Sequence, residues 1–138
     1  MRIGLGSDRI GLGCKERLKA RLAGQGHAAE DVCPANVCGG EDYQSITDQL
    51  SSAVYTGRVE RGVLICSRAI GASVLANKHP GVRAAWCHDL HSARQGVQDD
   101  GVNLLVMRAG DCTLDLACEL ADKQIRRIEG QRQLLPGA

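Results

Sequence analysis

Short apolar runs alternate along this chain with stretches in which apolar residues recur every three or four positions. RIGLGS (2–7), HAAEDVC (27–33), GVLIC (62–66), VRAAWC (82–87) and VNLLVM (102–107) predict strands. KERLKARLAGQG (15–26) predicts a helix, with Leu18 and Leu22 four apart and glycine at its end. DYQSITDQLSSAVYTG (42–57) predicts another, with Ile46, Leu50, Ala53 and Val54 on one face, and PANVCGGED (34–42) before it reads as loop. IGASVLANK (70–78), HDLHSARQGVQ (88–98) and CTLDLACELADKQIRRIEG (112–130) predict three more, the last with Leu114, Ala117, Leu120, Ala121 and Ile125 inward. Strand–helix alternation of this kind predicts an α/β domain, a mainly parallel five-stranded sheet covered on both faces. GVLIC and NLLVM lack polar alternation, as strands buried on both sides do. No linker or repeat divides the chain, so residues 1–138 are expected to form one domain. Ligands of doubly wound sheets bind beyond the carboxyl ends of the strands, and Cys66 stands at such an end.

Composition narrows the picture. The chain has 43% apolar residues, 2% aromatics and no phenylalanine, so its core must be aliphatic. A net charge of +1, with no basic run longer than two residues, gives no nucleic-acid surface. No apolar run approaches the ~18 residues of a membrane helix, and MRIGLGSDRIG lacks the apolar region of an export signal, so a cytoplasmic protein is expected. The seven cysteines are odd in number and spread from Cys14 to Cys118, which favours reduced thiols. The closest pairs, Cys33-x4-Cys38 and Cys112-x5-Cys118, have no histidine at ligand spacing, so neither a metal nor another cofactor is expected.

Three strand ends carry chemistry: Ser7, Asp8 and Arg9 after the first; Cys66, Ser67 and Arg68, leading to Gly71 and Ser73, after the third; Asp99, Asp100 and Asn103 before the fifth and Arg108 after it. A thiol at a helix N-terminus is pushed toward thiolate by the helix dipole, and the backbone N–H groups of residues 67–71 could hold an anion beside it. A thiolate next to such amides can remove a proton alpha to a carbonyl while the amides hold the enolate oxygen. A buried cysteine that merely ends a strand fits the spacing equally well. Asp8 could orient a sugar hydroxyl or cap the next helix, and Arg68 could clamp a phosphate or form a surface ion pair. Glycines of GLGSDRIGLG are weak support for a dinucleotide, and the second strand ends without a clear ribose-binding acid.

In order along the chain, IGLGSDRIGLGCKERLKARLAGQGH, EDYQSI, GVLICSRAIGASVLANKHPGVRAAWCHD and SARQGVQDDGVNLLVM resemble the ribose-5-phosphate isomerase B/galactose-6-phosphate isomerase family over roughly residues 2–127. The most specific pieces are the Cys66 strand end, the segment Ala76, Asn77, Lys78, Pro80, Gly81, Arg83, Ala84, and the Ser92-Ala93 helix. The resemblance implies a Rossmann-like three-layer αβα sandwich and a homodimer or homotetramer with sites shared between subunits. It also implies metal-free interconversion of aldose and ketose phosphates through a cis-enediolate. Carried over, Cys66 is the base, the turn Ser67, Arg68, Ala69, Ile70, Gly71 is the anion hole, and Asp8 lies near the sugar ring, as do Asp42 and Tyr43 of the Asp-Tyr loop. Asn103 matches an asparagine near the sugar that reaches the neighbouring subunit's site.

The departures are equally specific. Arg9 stands where the family usually has histidine, and Ser67-Arg68-Ala69-Ile70-Gly71 replaces Gly-Thr/Ser-Gly-x-Gly. The ring-opening histidine falls at Asp99, beside Asp100, and the phosphate-binding arginine falls near Gly110, two positions past Arg108. These residues point to an isomerase acting on a pentose phosphate or a related tetrose or modified sugar phosphate. Cys66 is then the base, Asp8, Asp99 and Asp100 handle hydroxyl protons, and Arg9, Arg68 or Arg108 holds the phosphate. The alternative is a non-catalytic sugar-phosphate binder or partner subunit of the same fold.

Overall fold

A computed structural model describes residues 1–32, 43–89, 91–92, 95–96 and 101–108. Its strands are β1 (Arg2–Ser7), β2 (Ala28–Asp31), β3 (Arg61–Ile65), β4 (Ala84–Trp86) and β5 (Leu104–Met107); its helices are α1 (Leu12–Gly24), α2 (Tyr43–Tyr55) and α3 (Ala69–Ala76). The expected helix over 112–130 lies outside the described residues. The strands form one sheet in the order β2-β1-β3-β5-β4, and every pairing is parallel.

The two faces of the sheet follow from side-chain alternation. Ile3, Leu5, Val63, Ile65, Leu105 and Met107 face Leu18 and Leu22 of α1, the pair four residues apart in the sequence. Leu64, Cys66, Leu104 and Val106 face the other way, against Ile46, Leu50 and Ala53 of α2 and Ala69, Ala72 and Ala76 of α3. Both faces of β3 are therefore covered, which is why GVLIC carries no polar alternation. With helices on both faces this is the expected three-layer αβα sandwich of Rossmann-like type.

Helix α2 packs over strand positions that are glycines, and side chains there would meet its Leu50. A Cβ on Gly4 would stand 2.9 Å from Leu50 Cδ1, and one on Gly62 would stand 3.3 Å from it. The resemblance segment after α3 acts as a clamp. Asn77 Oδ1 accepts from the Ala84 N–H at 2.8 Å, while its Nδ2 donates to the carbonyls of Ser73 and Ala84 at 3.0 and 2.9 Å. The end of α3 is thereby fastened to the start of β4. Ser92 plays a similar local part: its N–H donates to Asp89 Oδ1 at 2.7 Å, and its Oγ accepts from the His88 and Asp89 amides.

Candidate active site

The chain leaves β1 toward β2 on one side and returns on the other side of β1 as β3. Strand order thus reverses at β1/β3, where sheets of this type open a crevice. Asp8 is the first residue past β1, Cys66 the first past β3 and Arg108 the first past β5, so three neighbouring strand ends bring them together. Main-chain bonds extend the pairing to that rim: Asp8 N–H donates to Ile65 O at 3.2 Å and Cys66 N–H to Met107 O at 2.9 Å.

Asp8 is 7% exposed and its carboxylate is a strap. One oxygen accepts from the Gly11 N–H at 2.9 Å, the other from the Ser67 N–H at 2.8 Å and from the Ser67 hydroxyl at 2.6 Å. The first contact tightens the turn into α1, as a capping residue would; the other two hold the loop after Cys66. Gly11 is needed for this closeness, because a Cβ there would lie 2.7 Å from Ile65 Cγ2 and 2.9 Å from Ile65 O.

Cys66 sits where the sequence places it, at the strand end immediately before α3, but it is 1% exposed and packs in the apolar cluster under α2 and α3. Its Sγ accepts from the Arg68 N–H at 3.3 Å. Burial dominates and pushes the thiol above its ordinary value; the Arg68 amide opposes this, the Asp8 charge adds to it and the Arg68 charge opposes it. The expectation of a thiol pushed toward thiolate is therefore corrected: desolvation outweighs the helix terminus. The anion hole also narrows. The Ser67 and Arg68 amides are spent on Asp8 and Cys66, so of residues 67–71 only the amides of Ala69, Ile70 and Gly71 remain, those of the first turn of α3.

Above the strand ends lies a cavity of about 390 Å³ lined by the turn from Ser67 to Gly71, by Trp86 and by Arg108. Cys66 is not among its lining residues; the lining begins at the next residue of the chain, Ser67. The Arg68 guanidinium is 5.2 Å from the centre of the Tyr43 ring, a cation–π contact that holds the cation in place. Gly71 makes room for that ring, since a Cβ there would stand 3.1 Å from Tyr43 Oη. Trp86 carried no role in the sequence reading. The available signal was the chain's single tryptophan at the last position of a strand.

Other expected residues stand apart. Asn103 precedes β5 and is level with Arg61 at the start of β3, roughly 16 Å from the Cys66 end at ~3.3 Å per residue. Its Oδ1 accepts from the Arg83 N–H at 2.8 Å and its Nδ2 donates to Gly81 O at 2.9 Å, so both ends of its amide bond to backbone. Asn103→Ala is expected to lower stability by about 2 kcal/mol, read as the urea midpoint, and to leave sugar-phosphate affinity unchanged. Ser73 spends its hydroxyl on Ala69 O at 2.9 Å. Arg9 is exposed on the turn before α1 and does not line the cavity. Asp42, Asp99 and Asp100, and both close cysteine pairs, lie outside the described residues. Among the described residues no helix is long and apolar enough to cross a membrane.

Comparison with known proteins gives this geometry its context. The family model for ribose/galactose isomerases matches residues 3–133. The 4-deoxy-4-sulfo-D-erythrose isomerase of Clostridium sp. (strain MSTE9) is 31% identical over 122 residues, covering 88% of this chain and 77% of that protein. Ribose-5-phosphate isomerase B of Escherichia coli is 32% identical over 134 residues, covering 95% and 88%. The solved structure of Clostridium thermocellum ribose-5-phosphate isomerase B superposes with a TM-score of 0.83 at 28% identity, covering 97% of each chain. The fold and the sequence therefore agree: this chain belongs to the ribose/galactose isomerase family.

Proposed function

We propose that the protein interconverts an aldose and a ketose bearing a terminal anion, with Cys66 as the proton-transferring base. The observation that carries this reading is a thiol held by the Arg68 amide, on the residue just before a turn that lines a cavity with two arginines, Arg68 and Arg108. Deprotonated, Cys66 would take the C2 proton of the aldose, leaving a cis-enediolate whose O1 oxyanion would meet the first-turn amides of Ala69, Ile70 and Gly71. The O2 hydroxyl proton would then pass to the adjacent O1, and the thiol would return its proton to C1, giving the ketose and the starting thiolate. The relatives act on a four-carbon sulfo sugar and on ribose 5-phosphate, so the shared demand is an anionic chain end rather than one sugar. Arg68, in place of the small hydroxyl residue of the resemblance, brings positive charge to the loop itself and favours a short substrate.

Solvent deuterium exchange tests the assignment. Wild-type protein incubated with a tetrose or pentose phosphate in D2O should incorporate label at C1 or C2, and Cys66→Ala should slow this by about 10²–10⁴-fold. Because burial raises the thiol and only its ionised form is a base, kcat/KM should climb with pH through and above 9.0, the ordinary thiol value. A Cys66→Ala variant within threefold of wild type would end the assignment.

The burial of Cys66 favours a second reading, a sugar-phosphate-binding subunit without catalysis. Binding of a sugar phosphate by calorimetry with no exchange at any pH would establish it.

A further inference from the structure

Trp86 closes the cavity on one side. From Cys66 the strand ends run outward through Arg108 on β5 to Trp86 on β4, the edge strand. At ~4.8 Å between neighbouring strands and ~3.3 Å per residue along them, Trp86, two strands over and level with Leu64, stands about 12 Å from Cys66. A carbon chain with its reacting end beside Cys66 and its anion drawn toward Arg108 is therefore heading for the indole. The ring is half-buried and packs at 48° to His88, with centroids 5.8 Å apart. Its N–H is sealed from solvent without a hydrogen-bond partner, so the cavity meets chiefly the carbon surface of the ring. In a chain with 2% aromatics and no phenylalanine, the bulkiest side chain stands at this one wall.

We propose that Trp86 is a specificity-determining residue that limits substrate length, packing against the carbon chain of four- and five-carbon sugar phosphates and excluding six-carbon ones. This rests on the isomerase reading of the same cavity and adds a size limit to it.

The single tryptophan is also the probe. Titration with D-erythrose 4-phosphate, D-ribose 5-phosphate and D-galactose 6-phosphate should be followed both by indole emission and by calorimetry. The shorter sugars should shift the emission on binding, and the hexose phosphate should bind about tenfold or more weakly. Trp86→Ala should bring the hexose phosphate to within about threefold of the others, while Trp86→Phe, which keeps most of the bulk, should preserve discrimination. Circular dichroism checks folding; if Trp86→Ala does not fold, wild-type emission and Trp86→Phe decide. Emission that stays fixed while calorimetry reports binding overturns the proposal, as does a folded Trp86→Ala with unchanged preference. Wild-type isomerisation with a silent indole would sink the size limit alone. Failure of wild type to bind any of the three sugars would sink the isomerase reading and the size limit together.

Discussion

Replacing Asp8 by alanine is expected to destabilise the protein by about 3–5 kcal/mol, read as the fall in the free energy of urea unfolding. The variant strips the acceptor from two main-chain N–H groups and one hydroxyl at a site only 7% exposed. Bonds to a charged group are worth roughly 1.5–3 kcal/mol each, and they are not additive because all three share one carboxylate. Asp8→Asn keeps one good acceptor and turns an NH2 against a backbone donor, so about half the loss should remain. Ser67→Ala removes only the 2.6 Å hydroxyl contact, for roughly 1–2 kcal/mol. A readout at the thiol separates the strap from generic destabilisation. The Asp8 charge helps to raise the Cys66 thiol, so Asp8→Asn should lower it and shift the alkylation profile of Cys66 to lower pH. A loss below about 1 kcal/mol for Asp8→Ala would mean that the strap is not a significant support.

Asp31→Ala is expected to cost about 3–5 kcal/mol for a different reason. Lys15 projects inward from α1 at 1% exposure, and its Nζ lies 2.7 Å from Asp31 Oδ2 at the end of β2. Glu16, 3.9 Å away and 54% exposed, is no substitute partner. Without Asp31 the ammonium is buried unpaired, whereas Lys15→Met keeps the apolar stem and leaves a carboxylate that is 12% exposed, a smaller penalty. The double variant Lys15→Met with Asp31→Leu removes both charges and should recover most of the loss. A denaturant cycle over the four proteins should give a coupling of about 2 kcal/mol or more; additive losses would show that the pair acts through packing instead.

Much of this architecture was legible because period and burial are written into the chain. Leu18 with Leu22, and Ile46 with Leu50, spell out helix faces, and the uninterrupted GVLIC spells out a strand covered twice. The position of Cys66 was legible too, since an apolar run must end where the sheet ends. The upward push on its thiol was not, because the apolar cluster it joins includes Ile46 and Leu50, which come from a helix distant in the sequence. Asn103 shows the reverse. As the first residue of the run NLLVM it is already placed by the sequence at the amino end of a strand, away from the Cys66 rim of the same subunit. Of the three segments that carried the resemblance best, the two around Asn77 and Ser92 hold the frame by hydrogen bonds to backbone. Trp86 went unnoticed because a tryptophan in an apolar strand reads as core until the strand is found at the edge of the sheet.

The strap between Asp8 and Ser67 joins residues 59 positions apart. No hairpin or local turn can bring them together, because parallel neighbours meet only after the intervening crossover has been laid down. During synthesis, a nascent chain that stops short of β3 has neither the rim nor the thiol, and a nick anywhere in the crossover removes the tether that makes their encounter unimolecular. The pocket should thus emerge late in refolding, together with the last cooperative gain in structure, so ligand capture rather than helix content is the signal that reports a finished molecule.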